Sequence, residues 1–481
     1  MYFDAPIYFV FLPIVVLIYW QLSHGQQNRF LLCASYFFYG WWDWRFLSLI
    51  LVSTFVDYHL ARWIGATDDA RRRRRLLVIS LVMNLGFLGF FKYCNFFIDS
   101  FIDLLKVLGV DNPNRTVISV LLPPGISFYT FQAVAYIVDV YNRRLEPSSS
   151  LVDYALFISL FPHLIAGPIQ RPGHLLPQVA TPRRLDSDQV FDGLMLIATG
   201  LFRKCVIADN CALVADGVFS GRMGDPSLGL LLLGAYAFAL QIYGDFSGYS
   251  DMARGSAKLL GFEFMVNFRQ PYLATSLQDF WRRWHISLST WLRDYLYIAL
   301  GGNRGGRLET YRNLMLTMVI GGLWHGANWT FVVWGAIHGV GLAIERYARE
   351  ALGLGPARSG PADAGGASLT SARAWIARIL VFHVVCLAWV FFRAMTVGDA
   401  WHLLSGIGTI TWQPELMVAA KVLMLFGAMM LAMDVVNETR REEYLLQHAT
   451  LRDRFATALG FVCAVLLLSA SNINAFIYFQ F

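Results

Sequence analysis

The chain has 481 residues, of which 56% are apolar and only 15% are charged, and its mean hydropathy is +0.48. Soluble domains carry about 25% charged residues, so this composition excludes an ordinary soluble globular protein and places much of the surface in lipid. The net charge of +6 does not indicate nucleic-acid binding, because the basic residues cluster between apolar runs, as in the cytoplasmic loops of membrane proteins.

The apolar stretches predict an all-α integral membrane protein. We place them near residues 6–22, 30–42, 46–64, 76–98, 118–140, 151–168, 190–208, 228–244, 312–323, 328–348, 375–394, 417–436 and 455–471. Roughly ten to twelve of them are long enough, alone or tilted, to cross a bilayer core. Several are too short or too interrupted to cross independently.

The two ends of the first stretch indicate its orientation. No Lys or Arg precedes Arg29, so the stretch lacks the basic region of a cleavable signal peptide and is interpreted as a retained span with the N-terminus outside. The basic flanks of residues 65–75 and 353–372 predict that both segments are cytoplasmic. The second of these is rich in Gly, Ala, Pro and Ser and is expected to be a flexible linker.

The middle third of the chain differs from both ends. Residues 162–189 are polar and proline-rich, and residues 245–306 alternate apolar and charged residues without a clean span. Such backbone is tolerated at membrane depth only where protein covers it or water reaches it. We therefore expect re-entrant or interfacial helices around a central cavity that carries the function.

These features together predict one membrane domain over residues 1–481. Its expected parts are N-terminal spans at 1–118, a catalytic core at 119–350, the linker at 353–372 and C-terminal spans at 373–481.

His325 is the first candidate for chemistry. It lies in GGLWHGANW (321–329), between two apolar runs at membrane depth. The flanking glycines let backbone or a substrate approach closely, and histidine is the side chain that accepts a proton near neutral pH. The alternative is a hydrogen-bonded core histidine at a helix break.

His338 follows thirteen residues later in WGAIHG. On one continuous helix the two histidines would point about 220° apart, so they converge only if the helix breaks, and Gly326 and Asn328 can supply that break. Support or packing explains His338 as well as catalysis does. Asn328 is a further candidate for lining the cavity.

The residues 279–296, DFWRRWHISLSTWLRDYL, predict an amphipathic interfacial helix. Trp281, His285 and Leu288 share one face of that helix. A membrane-surface helix does not require a histidine on its apolar face, so His285 is a candidate for lining the cavity or orienting a partner.

Charged residues of the same segment have two interpretations. Arg282 and Arg283 suit the phosphates of an acyl carrier, because a guanidinium binds phosphate in a bidentate way, and they suit a membrane-surface anchor equally. Asp294 is a further cavity-lining candidate.

Polar residues on two neighbouring segments complete the candidates. Asp245 and Asp251, in YGDFSGYSDMARG, are predicted to form structural ion pairs with Arg254 or Arg269, since buried carboxylates are rarely left unpaired. His163, in SLFPHLIAGPIQRP, is another residue that can line the cavity.

Signatures of soluble enzymes and metal sites are missing from the sequence. It has no GxGxxG after a strand, no P-loop, no HExxH and no GxSxG. The six cysteines form no CxxC pair and are interpreted as buried free thiols. We expect no metal centre and no tightly bound cofactor.

Several of these segments, taken together, resemble the membrane-bound O-acyltransferase family, and within it the bacterial alginate O-acetyltransferase branch. The similar segments are LLPPGISFYTFQAVAYIVDVY (121–141), SLFPHLIAGPIQRP (159–172), YGDFSGYSDMARG (243–255), FWRRWHISLSTWLRDYLYIALGGNRGG (280–306), GGLWHGANWTFVVWGAIHG (321–339) and NAFIYFQF (474–481). They keep the family's order. The chain departs from the branch at Ala299, where proline is common, and in its longer linker.

The resemblance implies a ring of about 11 transmembrane helices around a central funnel, with His325 at the position of the family's essential histidine. It implies a cytoplasmic thioester donor, such as acetyl-coenzyme A, as co-substrate, and a polysaccharide acceptor. In this branch it also implies a periplasmic acyltransferase partner of the SGNH type and a bacterial inner membrane. The expected function is O-acetylation of an exported polysaccharide.

Three alternatives remain open at this point. The first is D-alanyl transfer to teichoic acid, whose transfer protein belongs to the same family but is less similar to this chain. A transporter or flippase of lipid-linked glycans would use intramembrane His and Arg for passage, although the sequence lacks the internal repeats of many transporters. A structural subunit of an export complex would not need the polar residues kept at 279–294 and 325.

Overall fold

The structure is a computed structural model that describes residues 3–110, 121–353, 369, 371–410, 414–470 and 476–477. Regular secondary structure in these ranges is helical throughout, which confirms the predicted all-α class for this part of the chain. The first ten helices are α1 Tyr8–Tyr19, α2 His24–Asp43, α3 Leu47–Gly65, α4 Ala70–Leu88, α5 Cys94–Val107, α6 Ile126–Tyr141, α7 Leu151–Ser159, α8 Phe161–Leu164, α9 Pro172–Ala180 and α10 Ser187–Leu201.

The remaining helices carry most of the chemically interesting residues. They are α11 Asp209–Phe219, α12 Leu228–Leu259, α13 Leu277–Arg283, α14 Ile286–Trp291, α15 Arg307–His325, α16 Trp329–Ala351, α17 Ala372–Arg393, α18 Val397–Ser405, α19 Pro414–Arg440 and α20 Leu451–Leu468. Short 3₁₀ turns lie at Trp44–Phe46, Pro271–Leu273 and Gly406–Gly408, and π-helical turns at Gly89–Tyr93, Phe202–Ala208 and Leu292–Tyr297.

The predicted stretches largely coincide with helices, with two informative differences. The stretch at 228–244 continues to Leu259 as α12, so the YGDFSGYSDMARG segment is helical. This part of α12 packs closely on α10, and Gly248 leaves the space for that contact. A Cβ on Gly248 would lie only 2.6 Å from the carbonyl oxygen of Gly200. The stretch at 151–168 instead divides into α7 and α8 at Leu160, two residues before Pro162.

Within the described residues, four helical segments are long and apolar enough to cross a membrane. They are Ala70–Val107, Leu228–Leu259, Ala372–Arg393 and Leu416–Arg440, and α1 is a shorter apolar helix. Together with the composition, these segments indicate a multi-pass membrane protein.

The chain forms two compact units by internal contacts. Unit 1 contains residues 1–193 and 253–265. In it α2 packs on α7 and α8, while α3, α4 and α6 pack on one another. The C-terminal end of α12 belongs to this unit, where Trp20 donates a hydrogen bond to the carbonyl of Leu259.

Unit 2 contains residues 194–252 and 266–481. Its most extensive contact is between α15 and α16, and α16 also packs on α17 and on α13. The π-helical turn Phe202–Ala208 packs on α11, α19 and α20.

The predicted division of the chain at residues 118 and 350 does not coincide with the boundaries of these units and stays a prediction. The linker at 353–372 and the ending at 474–481 lie largely outside the described residues.

Candidate functional site

His325 is the last residue of α15. Gly326 follows in an extended conformation, and α16 begins at Trp329. Asn328 caps α16, because its side-chain oxygen accepts a hydrogen bond from the Thr330 N–H at 3.0 Å. The break that Gly326 and Asn328 could supply is present, and the Asn328 side chain is engaged in the cap and in a 2.9 Å bond to the Met395 carbonyl.

The glycines around His325 are required by packing of α15 on α16. A Cβ on Gly322 would lie 2.2 Å from the Phe331 carbonyl oxygen, and a Cβ on Gly335 would lie 2.4 Å from the Met318 carbonyl oxygen. A Cβ on Gly326 would overlap the Phe331 ring at 2.1 Å. Gly322 and Gly335 thus serve the close approach of backbone, one of the two uses that the sequence left open, and Gly326 leaves room for the Phe331 ring.

The His325 ring lies in a cage of aromatic side chains and is 3% exposed. Its centroid is 5.0 Å from the rings of Trp324 and Trp334, and 5.3 Å from that of Phe392. The ring of His285 lies 6.3 Å away. Two imidazoles thus lie near each other in apolar surroundings, where interactions with a developing charge are stronger than in water.

His285 lies at a second break, and the predicted continuous helix over 279–296 is wrong. Helix α13 ends at Arg283, His285 has φ 42° and ψ 54°, and α14 begins at Ile286. Residues 292–297 then form a π-helical turn. The residues of this segment therefore do not share the predicted helical faces. The backbone groups of Arg283 and Ile286 bond to residues 267–269 instead of continuing one helix through His285.

His338 lies in the middle of α16 and is completely buried. Its ring contacts Trp334 at 4.9 Å, and the same indole contacts His325. Phe280 and Trp281 pack against the ring at 6.0 and 5.1 Å. Neither ring nitrogen has a hydrogen-bond partner in the ranges that the structure describes. These contacts favour support of the cage as the role of His338.

The two predicted phosphate-binding arginines differ in environment. Arg283 is buried and makes ion pairs with Asp279 at 2.9 Å and Glu438 at 2.8 Å. Its charge is thus balanced within the protein, which favours a structural role, whereas Arg282 is half-buried beside it. Asp294 pairs with its neighbour Arg293 at 2.7 Å and is partly exposed.

The predicted pairing of Asp245 and Asp251 is confirmed, with two cations that the sequence analysis did not propose. Asp245 lies 3.0 Å from Lys204, and Asp251 lies 2.7 Å from Arg203. Both cations come from the π-helical turn Phe202–Ala208, where a wide turn directs two consecutive side chains toward α12.

The two arginines proposed as partners each lie near a further carboxylate. Arg254 lies 3.8 Å from Glu263, and Arg269 lies 3.0 Å from Glu443. Arg203 and Lys204 lie farther along the chain from Asp245 and Asp251, so helix packing, not sequence proximity, brings these two cations to the carboxylates.

His163 belongs to unit 1 and not to the His325 cage, which lies in unit 2. Its Nδ1 is 3.0 Å from the side-chain amide nitrogen of Gln132, and its ring packs on Phe264 at 5.4 Å. The proposal that it lines a cavity stays a prediction.

Sequence reasoning missed residues that other helices bring to the site. Phe392, at the end of α17, contacts His325, and Phe246 of α12 contacts His285 at 4.6 Å. Glu438 of α19 binds Arg283. Glu438 could have been found from the sequence, because a carboxylate near the end of a long apolar stretch is costly to bury and needs a partner.

Known proteins resemble this chain over most of its length. The family model for MBOAT, the membrane-bound O-acyltransferase family, matches residues 80–358. The chain is 39% identical to the probable alginate O-acetylase AlgI of Azotobacter vinelandii, over 100% of both chains. It is 43% identical to the protein of that name from Pseudomonas aeruginosa, over 86% of this chain and 76% of that one. It is also 37% identical to the peptidoglycan O-acetyltransferase of Helicobacter pylori, over 84% and 79%.

Proposed function

The chain belongs to the membrane-bound O-acyltransferase family, and from that membership we propose that it is an O-acetyltransferase acting on an exported polysaccharide. Three similar proteins that are named for transfer of acetyl to alginate or peptidoglycan support the acetyl group and the class of acceptor. The observation that carries the proposal is the buried His325, placed at a helix break beside His285.

His325 acts as the general base in the proposed reaction. The neutral imidazole takes the proton of an acceptor hydroxyl while that oxygen attacks the carbonyl carbon of the thioester. The carbon–oxygen ester bond forms, the carbon–sulfur bond breaks, and the proton passes to the leaving thiolate to give a free thiol. The indole and phenyl rings around His325 keep the transfer in apolar surroundings.

The donor in this proposal is a thioester that enters from the cytoplasm, with acetyl-coenzyme A as the simplest candidate. Arg282 and Arg283 are the candidates for binding its phosphates, and two carboxylates already balance the charge of Arg283. The donor is a co-substrate that the protein releases as a thiol after each turnover.

The wider architecture belongs to the same proposal. A ring of about 11 transmembrane helices around a funnel would let the donor and the acceptor approach from opposite sides of a bacterial inner membrane. A polymer is a bulky guest for a cavity within a membrane, so a periplasmic partner of the SGNH type is proposed to finish the transfer through its own hydroxyl.

Replacement of His325 tests the proposed base. His325→Ala should lower acyl transfer by about 10²–10⁴-fold, and His325→Gln should be nearly as poor, because an amide cannot take the proton. The measurement is the acetyl-ester content of the exported polysaccharide, normalised to the membrane abundance of each variant.

His383→Ala is the matched control. His383 lies in α17 of the same unit, is exposed and binds the Tyr236 hydroxyl at 2.6 Å, so its loss should leave acetylation intact. Full acetylation by an abundant His325→Ala protein would refute the assignment of His325 as the general base.

A further inference from the structure

We propose that Asn267 is a positioning residue that fixes the backbone at His285 and thereby directs the His285 imidazole toward His325. The inference rests on the proposed function, because it assigns His285 a part in the same transfer. It concerns a residue that acts through its neighbours.

The backbone at His285 needs external support. Its φ of 42° and ψ of 54° lie in the left-handed region, which a residue with a Cβ rarely adopts. Such a conformation persists when the surrounding structure over-determines it, and it is concentrated at functional sites.

Two backbone hydrogen bonds hold the chain on either side of His285. The Arg269 N–H donates to the Arg283 carbonyl at 3.0 Å, and the Ile286 N–H donates to the Asn267 carbonyl at 2.9 Å. The segment 267–269 therefore holds the residues before and after His285. This pairing ends α13 and begins α14 one residue after His285.

The Asn267 side chain binds the same segment a second time. Its Oδ1 accepts a hydrogen bond from the Ser287 hydroxyl at 2.6 Å, and its Nδ2 donates to the Ser250 hydroxyl at 3.0 Å. All three residues are buried. Bonds between buried polar groups are shielded from competing water, so they define one arrangement.

Helix α12 connects this polar group to the histidine ring. Ser250 receives the Asn267 amide, and Phe246, one turn earlier on the same helix, packs edge-on against His285 at a centroid distance of 4.6 Å. Helix α12 therefore contacts the His285 ring through Phe246 and supports the His285 backbone through Ser250 and Asn267. His325 lies at the end of α15, with its ring 6.3 Å from that of His285.

A shift at His285 should reduce turnover without removing any reacting group. A displacement of about 1 Å in a positioned group can cost up to about 10²-fold in rate. We therefore expect Asn267→Ala to lower kcat by about 10- to 100-fold, with little change in the KM for acetyl-coenzyme A.

A double-mutant cycle tests whether Asn267 acts through His285. The purified full-length protein is assayed for thiol release from acetyl-coenzyme A in four forms: unchanged, Asn267→Ala, His285→Ala and the double variant. Once the imidazole is gone, its position no longer matters, so Asn267→Ala should change kcat by less than about 2-fold in the His285→Ala background.

Asn84→Ala is the matched control for a general loss of stability. Asn84 is equally buried and donates to Asp57 at 2.8 Å, but it lies in unit 1. It should lower the melting temperature while leaving kcat unchanged. Ser287→Ala, which removes one bond of the Asn267 side chain, should lower kcat less than Asn267→Ala does, and it replaces Asn267→Ala in the cycle if that variant does not fold.

Three outcomes separate the possibilities. An equal loss of kcat in both backgrounds would show that Asn267 is only structural, and full turnover by His285→Ala would also overturn the positioning role while leaving His325 as the base. Turnover that does not depend on His325 would instead refute the proposed function.

Discussion

The breaks at His325 and at His285 place two buried histidines at interrupted helices by different means. At His325 the means are local: Gly322, Gly326 and the Asn328 cap all lie within a few residues of the histidine. At His285 the flanking residues are tryptophan and isoleucine, which do not break a helix by themselves. The break depends on Asn267, which lies 20 residues before Ser287, the residue that its side chain binds.

The difference concerns what each break can tolerate. A break built from glycines fails when a side chain is added, because backbone atoms occupy the space. A break built from long-range hydrogen bonds fails when a distant partner is removed or moved. Changes at each end of the site should therefore have separate effects, and their sizes can be ranked.

The largest effect is expected from Lys204→Met. Lys204 lies between Asp209 at 2.9 Å and Asp245 at 3.0 Å, all three side chains being buried, and Asp245 precedes the Phe246 that contacts His285. Removing the cation leaves two carboxylates buried together, which should destabilise the protein by about 3–5 kcal/mol. Thermal unfolding in detergent measures this loss.

The exposed pair of Lys106 and Asp103 supplies the control for that change. Lys106→Met should have little effect, since exposed ion pairs contribute little. Equal stability of the two variants would contradict a structural role for the buried cluster.

Gly322→Ala should have the next largest effect and should act on the His325 side. Its new methyl group would meet the Phe331 carbonyl, forcing α15 and α16 apart at a cost of about 1–3 kcal/mol. Gly86→Ala in α4 is the control, because a Cβ there meets nothing within 4 Å. That control should be neutral or stabilising in the same unfolding measurement, and a harmless Gly322→Ala would mean that the helices can separate freely.

The smallest effect is the most specific to the His285 backbone. His285→Gly should be more stable than His285→Ala by about 1 kcal/mol, because glycine adopts the left-handed region without a steric penalty. At His338, within α16, the order should reverse by about 1 kcal/mol, since alanine favours a helix over glycine. Greater stability of the alanine variant at both positions would exclude the left-handed conformation at His285.

Much of the fold and part of the site could be predicted from the chain alone. The apolar stretches predicted most helices, and the resemblance based on segments such as GGLWHGANW is confirmed by the family match. The break after His325 was predictable because glycine and a capping asparagine act within one turn. The break at His285 was not, since its own residues fit a helical pattern, and the residues that bond to the chain around the break, Asn267 and Arg269, lie in another segment.

The sequence by itself determined that this protein is helical, membrane-embedded and a member of an acyltransferase family, and it offered His325 as the candidate base. Apolar content, glycine spacing and motif order are properties of neighbouring residues, so they can be read without coordinates. Only the tertiary structure decided that Lys204 and Arg203 neutralise Asp245 and Asp251, that Phe392 and Phe246 enclose the histidines, and that His285 turns toward His325. Those contacts join helices far apart in the chain, and their partners are chosen by packing and by the cost of burying an unpaired charge.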